Sequence, residues 1–477
     1  MTVDSGETRA DEPSIGAPSA GSRPPTSAFV RRVTAIFATR VVILPVSLLT
    51  SVLVARVLGP ELRGAYATVV TLPGLISAFA LLGLPNAVNY FAGRGSSVSS
   101  LVRASLAFTA VLSVVLVGIV WFALPSLERS FLKAAAQQDD LLRVMLLTLP
   151  LGMLASFGGT LLYGRQEVKV YNLILVGQAV LSLAGSVLLV VVLRLSVPGA
   201  VAVSVFLNVA VAVAVMAEVS RLRRRDTGGE PAPMRRLLVY GARLYPASVT
   251  GYFNARADVY ILQALALSTA VAEKNVGLYG FAVTMAELVF YVPESVATMF
   301  LPRVAASSHE DASAMLGRVS RLTMLVTLMV AVALIPAAYV GIHLVLPKYS
   351  DCLPAFYAIL PGVVSLSLSK VMTSYIAGRG RPGPISVAAS ISLAVNVVCN
   401  FILIPQLGIV GASLSSVVSY TALAAMMVAV ASRISGQSVV SLCVPRPAEL
   451  RIVVSGAIGM TGRLLARALG KAARVGR

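Results

Sequence analysis

Apolar runs long enough to cross about 30 Å of hydrocarbon as a helix recur twelve times along the chain. They fall at about 33–57, 65–92, 104–125, 141–163, 170–193, 197–217, 237–267, 276–301, 322–346, 354–377, 385–404 and 408–431. Short polar stretches separate them, and this pattern predicts an all-α polytopic membrane protein of about twelve transmembrane helices. Two of the runs carry breaks: Gly83-Leu84-Pro85 in the second, and Pro246 in the seventh, where a proline removes a backbone donor. The seventh run, Leu237 to Leu267, also holds Arg243, Arg256 and Asp258. An isolated charge at the bilayer centre costs about 2.5 kcal/mol or more, so these side chains should face protein or water.

Outside the runs, residues 1–29 lack any apolar period and read as a disordered cytoplasmic tail. Residues 30–217 then form an N-terminal six-helix bundle, 218–236 a basic cytoplasmic linker, and 237–432 a C-terminal six-helix bundle. The remainder, 433–477, is a basic cytoplasmic tail in which Ala448 to Leu469 reads as an amphipathic helix on the membrane surface.

The two halves repeat one another. Gly64-Ala65-Tyr66 opens the second run as Gly277-Leu278-Tyr279 opens the eighth; Gly164-Arg165 ends the fourth as Gly378-Arg379 ends the tenth. Leu195 to Ala200 and Leu407 to Ala412 open the sixth and twelfth, each with a glycine in the same place. Six spans per half give both halves one orientation, so the repeats should be parallel and enclose a central cavity.

Composition agrees with this reading: 57% of residues are hydrophobic, 12% are charged, and the mean hydropathy is +0.85. A net charge of +19 would point to nucleic acid in a soluble chain. Here the cations border apolar spans, which points instead to membrane orientation and anionic lipid headgroups, with no nucleic-acid partner. With the N-terminus inside, 27 of the 39 Lys and Arg fall in inner segments and 8 in outer ones, placing both termini in the cytoplasm. Three scattered cysteines (Cys352, Cys399, Cys443) and two histidines (His309, His343) supply neither a disulfide framework nor a zinc ligand set. A Gly-x-x-x-x-Gly-Lys-Ser/Thr loop is absent, so no P-loop ATPase is encoded.

The chain resembles the polysaccharide, or O-antigen, flippases of the multidrug/oligosaccharidyl-lipid/polysaccharide (MOP) exporter superfamily. The resemblance rests on Ala55-Arg-Val-Leu-Gly-Pro-Glu-Leu-Arg-Gly-Ala-Tyr66, on Arg256-Ala-Asp258 ahead of Val276-Gly-Leu-Tyr279, on Pro302, and on the stretch from Asn396 to Ala412. It spans about residues 30–450 and implies a MOP-exporter-like fold. It also implies movement of lipid-linked sugars, or drugs, by alternating access without ATP hydrolysis.

Seven charges within the runs are the candidate site residues. Arg40, Arg243, Arg256 and Lys370 are candidates to bind a substrate diphosphate, although the first, second and fourth lie near enough to a span end to snorkel. Arg256 is deeper, and its structural alternative is an ion pair with Asp258 or a neighbouring carboxylate. Asp258, Glu287 and Glu294 are candidates for ion coupling; the last two are seven apart and should share a helix face. Asn396 and Asn400, one turn apart, read as interhelical hydrogen-bonding residues. The tyrosines of the seventh and eighth runs could stack on sugar rings or simply pack.

These features make a non-enzymatic transporter in the bacterial plasma membrane the leading expectation. Its cargo would be a polyprenyl-diphosphate-linked oligosaccharide, and its partners membrane lipids and the glycosyltransferases or polymerase of the same pathway. No cofactor is expected beyond a coupling H⁺ or Na⁺. A multidrug exporter is the first alternative and a membrane glycosyltransferase or ligase the second. The orientation is checked by thiol labelling: cysteines introduced at Gln137 and Val271 should react with an impermeant reagent from outside, and one at Gly228 should not. Labelling at Gly228 from outside would invert the topology.

Overall fold

In the computed structural model, residues 26–451 are described, except Phe131, 134–137, Thr227, Pro382, Ala448 and Leu450. They form helices throughout, and no strand occurs among the described residues. The first half comprises α1 (Thr26–Ala80), α2 (Leu84–Gly93), α3 (Val98–Ser130), α4 (Asp139–Leu147), α5 (Leu149–Gly164), α6 (Val168–Gly185) and α7 (Ser196–Arg225). The second comprises α8 (Met234–Ala264), α9 (Thr269–Glu287), α10 (Tyr291–Ala306), α11 (His309–Val345), α12 (Leu353–Gly378), α13 (Gly383–Leu407), α14 (Ile409–Ser435) and α15 (Val439–Cys443).

Ten of these helical stretches are long and apolar enough to cross a membrane. The two expected runs not counted separately have physical causes. The first and second runs fall in α1, whose 55 residues are interrupted by Gly59 at φ 75° and ψ 176°. Past that residue the Arg63 guanidinium donates to Ser51 Oγ at 3.1 Å. A straight helix would hold two residues twelve apart about 18 Å from each other, so the limbs on either side of Gly59 fold together. The seventh run, α8, carries Arg235, Arg236, Arg243, Arg256 and Asp258, which lower its hydropathy.

Several element ends differ from expectation. Helix α1 already includes residues 26–29, which were read as tail. Helix α7 runs on through Arg223, Arg224 and Arg225, so the linker shortens to 226–233; cations at a helix C-terminus oppose the negative end of its dipole. The break at Gly83 is present: α1 stops at Ala80, Leu82 and Gly83 take φ of 47° and 70°, and α2 restarts at Leu84. At Pro246 the expected break is missing, and α8 is helical from Met234 to Ala264. A proline costs one intrahelical hydrogen bond, and packing of α8 against α2, α9 and α13 holds the helix across it. Lys133 ends α8 by donating to the carbonyls of Ala264 and Ala266 at 3.0 and 2.8 Å. The proposed amphipathic tail helix lies mostly outside the described residues. Its start is anchored by a fork from Arg321 of α11 to Glu449, Nε–Oε2 2.8 Å and Nη2–Oε1 2.6 Å, in which the guanidinium holds the carboxyl down at about 2.

The repeated motifs have equivalent uses in the two halves. A Cβ on Gly64 would overlap the carbonyl oxygen of Glu273, four residues before Gly277; a Cβ on Gly277 would overlap that of Pro60, four residues before Gly64. Helices α1 and α9 therefore cross in a reciprocal backbone contact that only glycine admits. Gly164 meets the Asn89 carbonyl of α2, and Gly378 meets the Leu301 carbonyl of α10. Arg165 and Arg379, which follow those glycines, donate to the carbonyls of Ser96 and Ser307, each just past the end of the helix so contacted, at 2.7 and 3.4 Å.

Arg63 strengthens the α1–α9 crossing. Its guanidinium lies 4.6 Å from the centroid of Phe281 and donates to the Gly277 carbonyl at 3.4 Å. This crossing joins the two halves at the end of the bundle opposite the 226–233 linker, and a second backbone contact, Gly83 against the Gly241 carbonyl, joins them between the start of α2 and α8. Gly64→Ala should lower the stability of the purified protein by about 1–3 kcal/mol, as overpacking does. The control is Gly118→Ala in α3, where an added Cβ meets nothing within 4 Å. Equal melting temperatures for the two variants in thermal unfolding would contradict the close crossing.

Candidate functional site

Beyond the α1–α9 crossing, toward the linker end, α8, α9, α10, α12, α13 and α14 draw apart around a cavity of about 680 Å³. Three of the seven candidate residues line it: Glu287, Glu294 and Lys370. The carboxylates reach the same space although a 3-10 turn, Leu288–Phe290, intervenes between α9 and α10. Phe290, Tyr291 and Tyr420 supply aromatic wall, and Thr250, Asn254 and Ser369 supply neutral polar groups.

The cavity charges are paired across helices. Lys370 Nζ of α12 donates to Glu294 Oε2 of α10 at 2.9 Å, with the two side chains 43% and 34% exposed. Arg256 Nη1 of α8 lies 3.9 Å from Glu287 Oε1 of α9, with exposures of 39% and 43%. The neighbouring-carboxylate alternative for Arg256 is therefore met by Glu287. Asp258, two residues further on, projects from another side of α8 and forms no ion pair with it.

Asp258 is buried, at 4% exposure. Its Oδ2 accepts hydrogen bonds from the Tyr279 hydroxyl of α9 and, at 2.8 Å, from Ser416 Oγ of α14. Its Oδ1 is buried without a hydrogen-bond partner, as are Asn400 Oδ1 and Ser413 Oγ. The same seam continues through Asn400, which donates to Asn396 at 2.9 Å, and Asn396, which donates to Ser419 at 3.3 Å. The interhelical bonding expected of these asparagines is thus present at Asn396. This oxygen-rich seam has the donor chemistry for a proton or a hard monovalent cation beside a carboxylate. No cluster of three or more His, Cys, Asp or Glu side chains occurs among the described residues.

Arg40 and Arg243 lie on α1 and α8, and their side chains are outside the described set. On the other side of α8 from the charged cavity, a second space of about 410 Å³ opens between Gly74, Ser77 and Asn86 of the first half and Tyr252 of α8. Of the crowded tyrosines, Tyr240 stacks on Tyr90 with centroids 4.4 Å apart, while Tyr252 and Tyr260 point their hydroxyls at the Thr71 carbonyl at 3.4 and 3.5 Å. Those three serve packing between the halves, and Tyr291 of the eighth run lines the charged cavity. Sequence reasoning missed Tyr420, Ser416 and the interface role of Arg63. For Arg63 a signal was present, a cation one residue before the repeated glycine.

The family profile described as "Polysaccharide biosynthesis protein" matches residues 29–306, more than half of the chain. No curated protein matches the sequence. Among solved structures, an inward-facing multidrug resistance MATE family transporter of the MOP superfamily superposes with a TM-score of 0.67 at 16% identity, over 82% of this chain and 95% of that one. An outward-facing conformation of such a transporter gives 0.63 at 17% identity, over 85% and 96%. At these identities the likeness is one of fold. The chain belongs to the polysaccharide biosynthesis protein family and is a multi-pass membrane protein with the fold of the MOP-superfamily transporters.

Proposed function

We propose that this protein is a flippase of the bacterial plasma membrane that carries a polyprenyl-diphosphate-linked oligosaccharide from the inner to the outer leaflet. The observation that carries this reading is the pair of cations, Lys370 and Arg256, beside a cavity large enough for sugar residues and walled by aromatic and neutral polar side chains. With the orientation read from the basic residues, that cavity faces the cytoplasm and the α1–α9 crossing closes the outer end, so substrate loads from the side on which such lipids are assembled. Guanidinium and ammonium groups then hold the diphosphate oxygens, tyrosine rings stack on sugars, and the polyprenyl chain stays in lipid. Parting of α1 from α9, with closure at the linker end, would complete alternating access. Glycosyltransferases and a polymerase of the same pathway would supply and consume the cargo.

Of the three candidate coupling acids, Glu287 and Glu294 are already neutralised by cations. Asp258 has none within ion-pair distance among the described side chains, and we assign the coupling H⁺ or Na⁺ to it. Glu287, Glu294 and the aromatic wall favour the second reading, an exporter of organic cations, which would bind cations and reject diphosphates.

In proteoliposomes, Arg256→Ala and Lys370→Ala should each slow translocation of a fluorescent polyprenyl-diphosphate-linked sugar about ten- to hundredfold, as loss of a charged hydrogen bond does. Arg256→Lys, which keeps charge but loses the planar fork, should fall between. Full transport by the double variant Arg256→Ala/Glu287→Ala would make the pair structural and refute the binding role.

Asp258→Asn keeps an acceptor for Tyr279 and Ser416 while removing the titratable charge. It should accumulate normally yet transport without dependence on the pH or Na⁺ gradient. An unchanged ion dependence would exclude Asp258 as the coupling site.

A further inference from the structure

The two ion pairs at the cavity differ in kind from Arg321–Glu449, a shielded pair that ties α11 to the chain past α15. Arg321 and Glu449 are 5% and 9% exposed and joined by a bidentate fork, the geometry of a fixed tie whose breakage would leave a buried charge. Glu294–Lys370 and Glu287–Arg256 are each a third or more exposed, and the second stands at 3.9 Å, beyond hydrogen-bond length. Ion pairs that water reaches add little to stability, so their partners can be exchanged at small cost. Lys370 lines the cavity and Arg256 stands beside it against Glu287, and the two carboxylates facing these cations are seven residues apart on the same wall.

We infer that Glu294 and Glu287 are internal counter-ions that compete with the cargo's diphosphate for Lys370 and Arg256, and that this competition releases the cargo. The inference rests on the reading of the cavity as a lipid-diphosphate site. In the empty carrier each carboxylate neutralises its cation, so the cavity can close without burying an unpaired charge. On loading, phosphate oxygens take the ammonium and guanidinium donors and the carboxylates swing into the solvated cavity. On the release side the carboxylates, tethered within reach and therefore at high effective concentration, reclaim the cations as the phosphate leaves. No covalent bond changes and no proton is required. The exchange swaps one oxyanion for another on the same donors. Glu287 lies on α9 and Glu294 on α10, while Arg256 and Lys370 come from α8 and α12, so formation of the pairs also draws together the helices that wall the cavity.

An internal competitor weakens binding of what it competes with. Titration of the purified full-length protein with farnesyl diphosphate should therefore give about two- to fivefold tighter binding for Glu294→Gln and for Glu287→Gln than for the native chain, the fold expected from removing an accessible ion pair. In proteoliposomes the same variants should show a lower KM and a lower maximal rate for a fluorescent polyprenyl-diphosphate-linked sugar, because release slows. Glu294→Asp, which retracts the carboxylate while keeping its charge, should shift binding in the same direction and serves if a glutamine variant fails to accumulate. Lys370→Ala and Arg256→Ala should bind farnesyl diphosphate more weakly. If those two bind it as well as the native protein, the diphosphate reading of the cavity falls, and the inference with it. If they bind weakly but Glu294→Gln, Glu287→Gln and Glu294→Asp bind no tighter, the diphosphate site stands and internal competition is overturned.

Discussion

The contact on which the rest of the structure depends is the backbone approach of α1 to α9 at Gly64 and Gly277. In lipid the hydrophobic effect does little to bring helices together, and close packing of small residues takes its place. Each glycine meets the carbonyl of the residue four positions before the other, so the two helices share one crossing point with equivalent surroundings. The contact fixes where α9 begins, and through its helical rise where Glu287 and Glu294 reach the cavity wall. It also explains Arg63, whose guanidinium caps the crossing through Phe281 and the Gly277 carbonyl rather than through a carboxylate. A latch of that kind joins the halves by weak, neutral acceptors and can part without stranding a buried anion.

Much of this fold was legible in the sequence because a bilayer restricts what an apolar run can be. Run length identified the helices, and the Gly-Arg and Gly-x-Tyr repeats pointed to positions that prove equivalent in three dimensions. Where the reading failed, the determinant was not local. Residues 218–225 look like linker by composition, yet cations on the last turn of α7 extend it. Pro246 looks like a break, but packing on three neighbours outweighs one missing hydrogen bond. At the site, the seven-residue spacing was enough to put Glu287 and Glu294 on one wall. The identity of their partners was not: Arg256 and Asp258 are two apart and project to different sides of α8, and only the fold shows that Glu287 meets the first and Tyr279 and Ser416 the second. Contacts between residues 76 or 158 positions apart leave no periodic trace in one sequence.

The intramembrane charges fall into two physical classes. Glu287, Glu294, Arg256 and Lys370 are partly exposed, paired across helices and gathered at one cavity. Asp258 is buried and held by two hydroxyl donors on Oδ2, and its second oxygen has no hydrogen-bond partner among the described side chains. Under the proposed competition the first class would exchange one oxyanion for another at constant charge, which suits binding and letting go of a large anionic cargo. The second sits between α8, α9 and α14, all of which also wall the cavity. On the flippase reading proposed above, a proton or cation taken up at Asp258 would act on the same helices that carry the cavity pairs, and that shared packing is the route by which an ion could be linked to movement of the cargo.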